Sequence, residues 1–120
     1  MARKVLFIDD SNTIRKSGDI FMKQAGYSVS LAEDGFSGIE KAFNEIPDII
    51  FIDVMMPHVD GYMACATIKS NPALRHVPIV MLTSKDTLLD RARGRLVGAD
   101  LYLIKPFNKK SLIDAIESLI

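Results

Sequence analysis

An open, parallel α/β sheet with helices on both faces is the fold class this sequence predicts, and three observations predict it. Five short apolar runs alternate with five segments of helical length and pattern. The central stretch, Pro47-Asp48-Ile49-Ile50-Phe51-Ile52-Asp53-Val54-Met55-Met56-Pro57, holds four consecutive bulky apolar residues between prolines. That is too few for a helix and fits a strand buried on both faces. Each connection has room for one helix and its turns, as short right-handed crossovers require.

In chain order, Val5-Leu6-Phe7-Ile8 is the first strand and ends on Asp9 and Asp10. Ser11 or Asn12 caps a helix that runs to about Ala25, with Ile14, Ile20, Phe21 and Ala25 available for one face, and Gly26 stops it. Tyr27-Ser28-Val29-Ser30-Leu31 alternates as a strand with a more solvated face. Asp34-Gly35 opens a second helix, about Phe36 to Asn44, whose Ile39, Ala42 and Phe43 point inward. The central strand follows, and Asp60-Gly61 precedes a third helix, about Tyr62 to Ser70, ended by Asn71-Pro72. Pro78 to Thr83 is the fourth strand, and Thr87 to Val97 the fourth helix, with Leu88, Leu89, Ala92 and Leu96 at core spacing and Gly98 at its end. Gly94 in its interior costs about 1 kcal/mol relative to Ala and marks it as one of the less rigid helices. Leu101 to Ile104 is the fifth strand. Asn108 caps a last helix carrying Leu112, Ile113, Ile116, Leu119 and Ile120 at helical spacing.

The 120 residues read as one domain, 1–120, without linker, repeat or low-complexity tract, so any output domain is expected on another polypeptide or outside these 120 residues. Fifteen basic residues balance fifteen acidic ones, which favours neither nucleic acid nor an anionic membrane. No apolar run has the length of a spanning helix, and Met1 to Lys4 leads into too short a run for a secretory signal, so a cytoplasmic location is expected. The single Cys65 lies in an apolar stretch and reads as a small buried hydrophobe.

In this topology the carboxyl ends of the strands share one rim, the place where open α/β sheets bind ligands. The first strand delivers Asp9 and Asp10 there, the third Asp53, the fourth Thr83, and Lys105 lies just past the fifth. Three converging carboxylates raise one another's pKa and repel unless a cation sits among them. With no His or Cys close by, the hard ion Mg²⁺ fits best. Lys105 supplies a point charge and Thr83 a hydroxyl donor, the partners that transferring phosphoryl oxygens need. The constellation reads as phosphoryl transfer to Asp53.

These residues, with Met56-Pro57 and Gly61 downstream of Asp53, Ser84 after Thr83, and Tyr102 before Lys105-Pro106-Phe107, make the chain resemble the receiver domains of two-component response regulators, CheY-like along its whole length. Within that family it is most similar to the twitching-motility regulators of the PilG and PilH kind. The resemblance implies a flavodoxin-like strand order 2-1-3-4-5. It also implies that Asp53 accepts a phosphoryl group from a histidine kinase, making the chain a signalling switch with self-catalysed transfer and hydrolysis rather than a dedicated enzyme. Asp10 and Asp53 would ligate Mg²⁺ directly, with the carbonyl of Met55 as a third ligand and Asp9 acting mainly through water. Lys105 would pair with the phosphoryl oxygens through a loop with a cis Lys105-Pro106 bond. Thr83 would hydrogen-bond the phosphoryl group and, in moving toward it, open space for Tyr102 to swing inward. The resemblance puts the output surface on the fourth helix, fifth strand and fifth helix, where Arg91, Arg93 and Arg95 would suit an acidic or mixed protein target. Met55 and Lys85 flank the path of a hydrolytic water, and variation there tunes the lifetime of the aspartyl phosphate.

Each of these residues has a plainer explanation alone: Asp9-Asp10 as a helix start, Thr83 as a strand end, Tyr102 as a core aromatic, Lys105 as a surface charge, His58 and His76 as loop residues. Their order along the strand ends favours the functional reading. A dehalogenase-type phosphatase would need a second Asp two residues after its nucleophile, and Ser11 and Met55 stand there instead. A nucleotide or flavin module would need a glycine-rich first turn, which Asp9-Asp10-Ser11-Asn12 is not. A pseudo-receiver would lack acceptor-site residues that are all present.

Overall fold

In the structure, a computed structural model, residues 2–84 and 88–120 are described, except for the side chain of Leu88. Met1, Lys85, Asp86 and the Thr87 expected to open the fourth helix lie outside the described residues. The elements are β1 (Lys4–Ile8), α1 (Asn12–Gln24), β2 (Ser28–Ala32), α2 (Gly35–Glu45), β3 (Ile49–Asp53), α3 (Gly61–Ser70), β4 (Ile79–Thr83), α4 (Leu88–Leu96), β5 (Leu101–Ile104) and α5 (Lys109–Leu119). The strands pair in parallel in the expected order, β2-β1-β3-β4-β5.

Alternation along the inner strands splits the core into two layers. Leu6, Ile8, Ile50, Ile52, Ile79 and Met81 pack with Ala42, Ala64, Cys65 and Ile68 of α2 and α3. Val5, Phe7, Ile49, Phe51, Val80 and Leu82 pack with Met22 of α1 and Leu112 and Ile116 of α5. Phe7 stacks on Phe51 at 5.7 Å and meets the edge of Phe107 at 6.1 Å. Burying an aromatic ring of this kind stabilises the fold by about 1.5–3 kcal/mol. Because both faces of β3 are covered, all five of its residues are buried, Asp53 among them.

The helix starts follow their caps. The Ser11 hydroxyl accepts from Ile14 N–H at 3.3 Å, and the carboxylates of Asp34 and Asp60 accept from Ser37 and Met63 N–H at 2.8 Å each. Asn108 and Ser111 cap α5 reciprocally, with side-chain to backbone bonds of 2.8 and 3.0 Å. Gly26 and Gly98 follow α1 and α4 at φ of 94° and 95°, a conformation that glycine adopts without strain.

Several inward faces differ from the expectation. Ile20, expected in the core, is 54% exposed, and Ala25 is exposed too, whereas Gly18 and Met22 are buried. Ile20 sits two residues from each, about 200° around the helix. Phe43 is 41% exposed because α2 is seated through Gly38 and Ala42, Gly38 lying against Ile8. Leu89 and Leu96 are 70% and 86% exposed, and α4 instead turns buried Gly94 toward the ring of Tyr102. Gly94 is therefore also a seat for a side chain.

β2 forms one edge of the sheet. Its Ala32 carbonyl accepts from Asp9 N–H of the β1 end at 3.1 Å, so the neighbouring Leu31 carbonyl points outward, where Lys41 of α2 donates its ammonium. Among the described residues, no helix is long and apolar enough to cross a membrane.

Candidate functional site

The strand register delivers the polar residues to one rim. Asp53 is the last residue of β3 and lies opposite Leu82, so Thr83 of β4 stands one position further out and pairs with Ile104 of β5. Lys105 follows, its N–H bonded to the Thr83 carbonyl at 2.8 Å. Asp9 follows β1 and is 0% exposed, Asp53 is 5% and Thr83 4% exposed, while Asp10 lies in the open. Asp9, Asp10 and Asp53 each bring a carboxylate oxygen within 4.8 Å of the others.

Lys105 binds two of these carboxylates. Its Nζ lies 2.8 Å from Asp9 Oδ2 and 3.1 Å from Asp53 Oδ1. The other Asp9 oxygen, Oδ1, accepts from Ser11 N–H at 2.9 Å, and Asp53 Oδ1 also receives the Met55 N–H at 3.4 Å. Burial pushes the Asp53 carboxyl up to about 6, and the Asp9 charge pushes the same way against the pull of Lys105. Repulsion among carboxylates, named first from the sequence, is the second cause and desolvation the first. Burial draws the Lys105 ammonium down, but its contacts with Asp9 and then Asp53 outweigh this and hold it above its ordinary value. The Lys105-Pro106 bond is cis, as expected.

The backbone behind Asp53 is tightly packed. Gly61 donates its N–H to the Val54 carbonyl at 2.9 Å, and a Cβ on Gly61 would come within 2.4 Å of the Asp53 carbonyl oxygen. Met55 is 63% exposed at the rim and borders, with Met56, Pro57, Thr83, Asp90 and Arg93, a cleft of about 550 Å³. His58 is exposed at φ 70° in a turn closed by Val59 N–H on the Pro57 carbonyl, and His76 is exposed as well, so both remain loop residues. Cys65 is buried, and burial pushes its thiol up to about 12.

Two residues that the sequence reading passed over belong to the surroundings. Arg15 donates to the Asp9 carbonyl at 2.7 Å and to Asn12 Oδ1 at 2.6 Å, bracing the acidic turn from α1. Tyr62 of α3 meets the half-buried Tyr102, whose hydroxyl lies 2.9 Å from its own, and the Tyr102 ring already rests inward on Gly94. Nothing in the local sequence marks either residue, since one looks like a surface cation and the other like a core aromatic.

Comparison with known proteins places this geometry. The family model of the response regulator receiver domain matches residues 5–117. Protein PilG of Pseudomonas aeruginosa is 50% identical over 115 residues, which are 96% of this chain and 85% of that protein. The solved structure of chemotaxis protein CheY4 of Vibrio cholerae superposes with a TM-score of 0.97 at 32% identity, covering 100% of both chains. The receiver domain of a sensor histidine kinase of Pseudomonas aeruginosa, solved with a magnesium ion coordinated in its active-site cleft, superposes with a TM-score of 0.92 at 28% identity over 99% of this chain and 98% of that one.

Proposed function

The chain belongs to the response regulator receiver domain family, and from that premise we propose that it is a phospho-acceptor switch in which Asp53 takes a phosphoryl group from a histidine kinase. One Asp53 oxygen forms a bond to phosphorus while the N–P bond of the phosphohistidine breaks, and the departing imidazole nitrogen keeps the electron pair. Lys105, already held against Asp53, stays beside the new acyl phosphate as the fixed counter-charge for its oxygens. The Thr83 hydroxyl, one position beyond Asp53 on the neighbouring strand, donates to the phosphoryl group. Hydrolysis later frees the carboxylate, so residues 1–120 act as a resettable receiver unit rather than as an enzyme with a separate substrate.

The donor set suits Mg²⁺: every candidate ligand is a hard oxygen, three carboxylates lie within 4.8 Å, and no His or Cys belongs to the cluster. Asp10, Asp53 and the Met55 carbonyl would hold the ion. Asp9 Oδ1 accepts from Ser11 N–H and Oδ2 lies against the Lys105 ammonium, which suits an Asp9 that would act through an intervening water. When bound, the ion offsets the negative charge on the phosphoryl oxygens.

The observation that carries this reading is Lys105 Nζ standing between two carboxylates at 2.8 and 3.1 Å on the rim where three meet. Incubation with Mg²⁺ and a small phosphodonor, followed by intact-mass measurement, is expected to add one phosphoryl group to the wild type and none to Asp53→Asn. A wild-type mass that does not change overturns the reading. Output leaves by the surface of α4, β5 and α5, where exposed Arg91, Arg93 and Arg95 suit an acidic protein target. The similarity to PilG supports a place in twitching motility.

A further inference from the structure

Tyr62, 6% exposed, stands one residue after Gly61 and so next to the point where α3 presses on the backbone of Asp53 and Val54. Its far end reaches two other elements. The Tyr62 hydroxyl lies 2.9 Å from the Tyr102 hydroxyl of β5 and donates to the Asp90 carbonyl of α4 at 3.2 Å, while the one proton of Tyr102 goes either to the Tyr62 oxygen or to that same carbonyl. Two hydroxyl protons and one carbonyl oxygen thus close a clasp over α3, α4 and β5. It is held from both sides. The Arg93 guanidinium lies 4.3 Å from the Tyr62 ring centroid, and the missing Cβ of Gly94 leaves the space that the Tyr102 ring fills.

We propose that Tyr62 is a latch for Tyr102: it fixes the ring against α4 before any phosphoryl group arrives, and links the Asp53 backbone to the output face by a route that does not pass through Thr83. The two arrangements are ring seated in the clasp and ring released. As a regulator of output, the latch rests on the reading of Asp53 as acceptor. As a physical contact it does not, and it is measured with no phosphodonor present.

The test uses the full chain carrying 3-fluorotyrosine, whose three ¹⁹F resonances are assigned by Tyr→Phe variants, with Tyr27 as the internal reference. In metal-free, unphosphorylated protein, Tyr62→Phe is expected to shift or split the Tyr102 resonance. The released population should rise about fivefold, which corresponds to ~1 kcal/mol for one hydrogen bond. Thr83→Ala should leave that resonance in place. Tyr102→Phe should move the Tyr62 resonance in return, which decides the matter if Tyr62→Phe folds poorly. Phosphoryl uptake at Asp53, followed by mass, should stay within about twofold of wild type in Tyr62→Phe, since the hydroxyl removed bonds to Tyr102 and Asp90 and not to the Asp53–Lys105 pair. An unmoved Tyr102 resonance in folded Tyr62→Phe, or an unmoved Tyr62 resonance in Tyr102→Phe, overturns the latch. Failure of the wild type to take up a phosphoryl group overturns the acceptor reading and leaves the resonance result standing.

Discussion

At Asp53 burial and the Asp9 charge both oppose ionisation, and they raise its pKa from 3.8 to about 6 against the pull of Lys105. The folded state therefore holds this proton after the unfolded state has released it, and stability falls as pH rises from about 4 to 6, with the full penalty present above that window. The shift corresponds to about 3 kcal/mol. Asp53→Asn carries no such charge. In chelator at pH 7 it is expected to resist urea better than wild type by up to about 3 kcal/mol, with the gap closing near pH 4. Millimolar Mg²⁺ should stabilise the wild type by mass action and narrow the difference. Equal urea midpoints for the two proteins in chelator at both pH values would show that the pocket does not penalise the charge. Asp9, Asp10, Asp53, Thr83 and Lys105 were legible because each stands at the end of an apolar run. Tyr62 and Arg15 were not, because their partners are set by the tertiary fold: the Tyr62 and Tyr102 hydroxyls meet across 40 residues of sequence.

At the scale of elements the strands were read almost to the residue, whereas the helix faces were not. Hydrophobic periodicity counts large side chains, yet α1, α2 and α4 are seated through Gly18, Gly38 and Gly94, which register as gaps. Ile20, Phe43, Leu89 and Leu96 match the core pattern of their helices and are nevertheless exposed. Two glycine substitutions separate what such contacts do. At Gly61 a Cβ would meet the Asp53 backbone oxygen at 2.4 Å, an atom that cannot yield. Gly61→Ala is expected to destabilise by about 3 kcal/mol or more and to slow phosphoryl uptake. At Gly94 the nearest atoms are the far end of the Tyr102 ring, also at 2.4 Å, which can swing away. Gly94→Ala should change stability by less than about 1 kcal/mol, because improved helix propensity offsets lost packing. It should nevertheless displace the ring, as the fluorotyrosine resonance of Tyr102 would report. If urea denaturation gives equal losses for both variants, the contrast between backbone and side-chain contact fails.

Over the whole molecule, parallel strands carry every candidate site residue to one rim, and the helices that cover the sheet carry the proposed output face. A chain with fifteen charges of each sign has no long-range bias toward a partner, so recognition rests on local clusters. Arg91 and Arg95 border a groove of about 150 Å³ with Leu101 and Tyr102, beside the seat of the latch. Replacing both with Glu is expected to weaken binding of the phosphorylated protein to its target by at least about tenfold, since like charges would face an acidic surface. Phosphoryl uptake at Asp53 should be unchanged. Unaltered target affinity, measured by titration calorimetry, would move the output surface elsewhere on the molecule.

The contact between Lys41 and the Leu31 carbonyl on the β2 edge has a colloidal consequence. An edge strand is a template on which a second chain can stack its own backbone, and sheet proteins that leave one bare tend to polymerise. Here an ammonium group holds a carbonyl that a stacking strand would use. A strand that added here would first have to displace that ammonium. One side chain of the helix that covers this edge thus stands in the way of strand addition there.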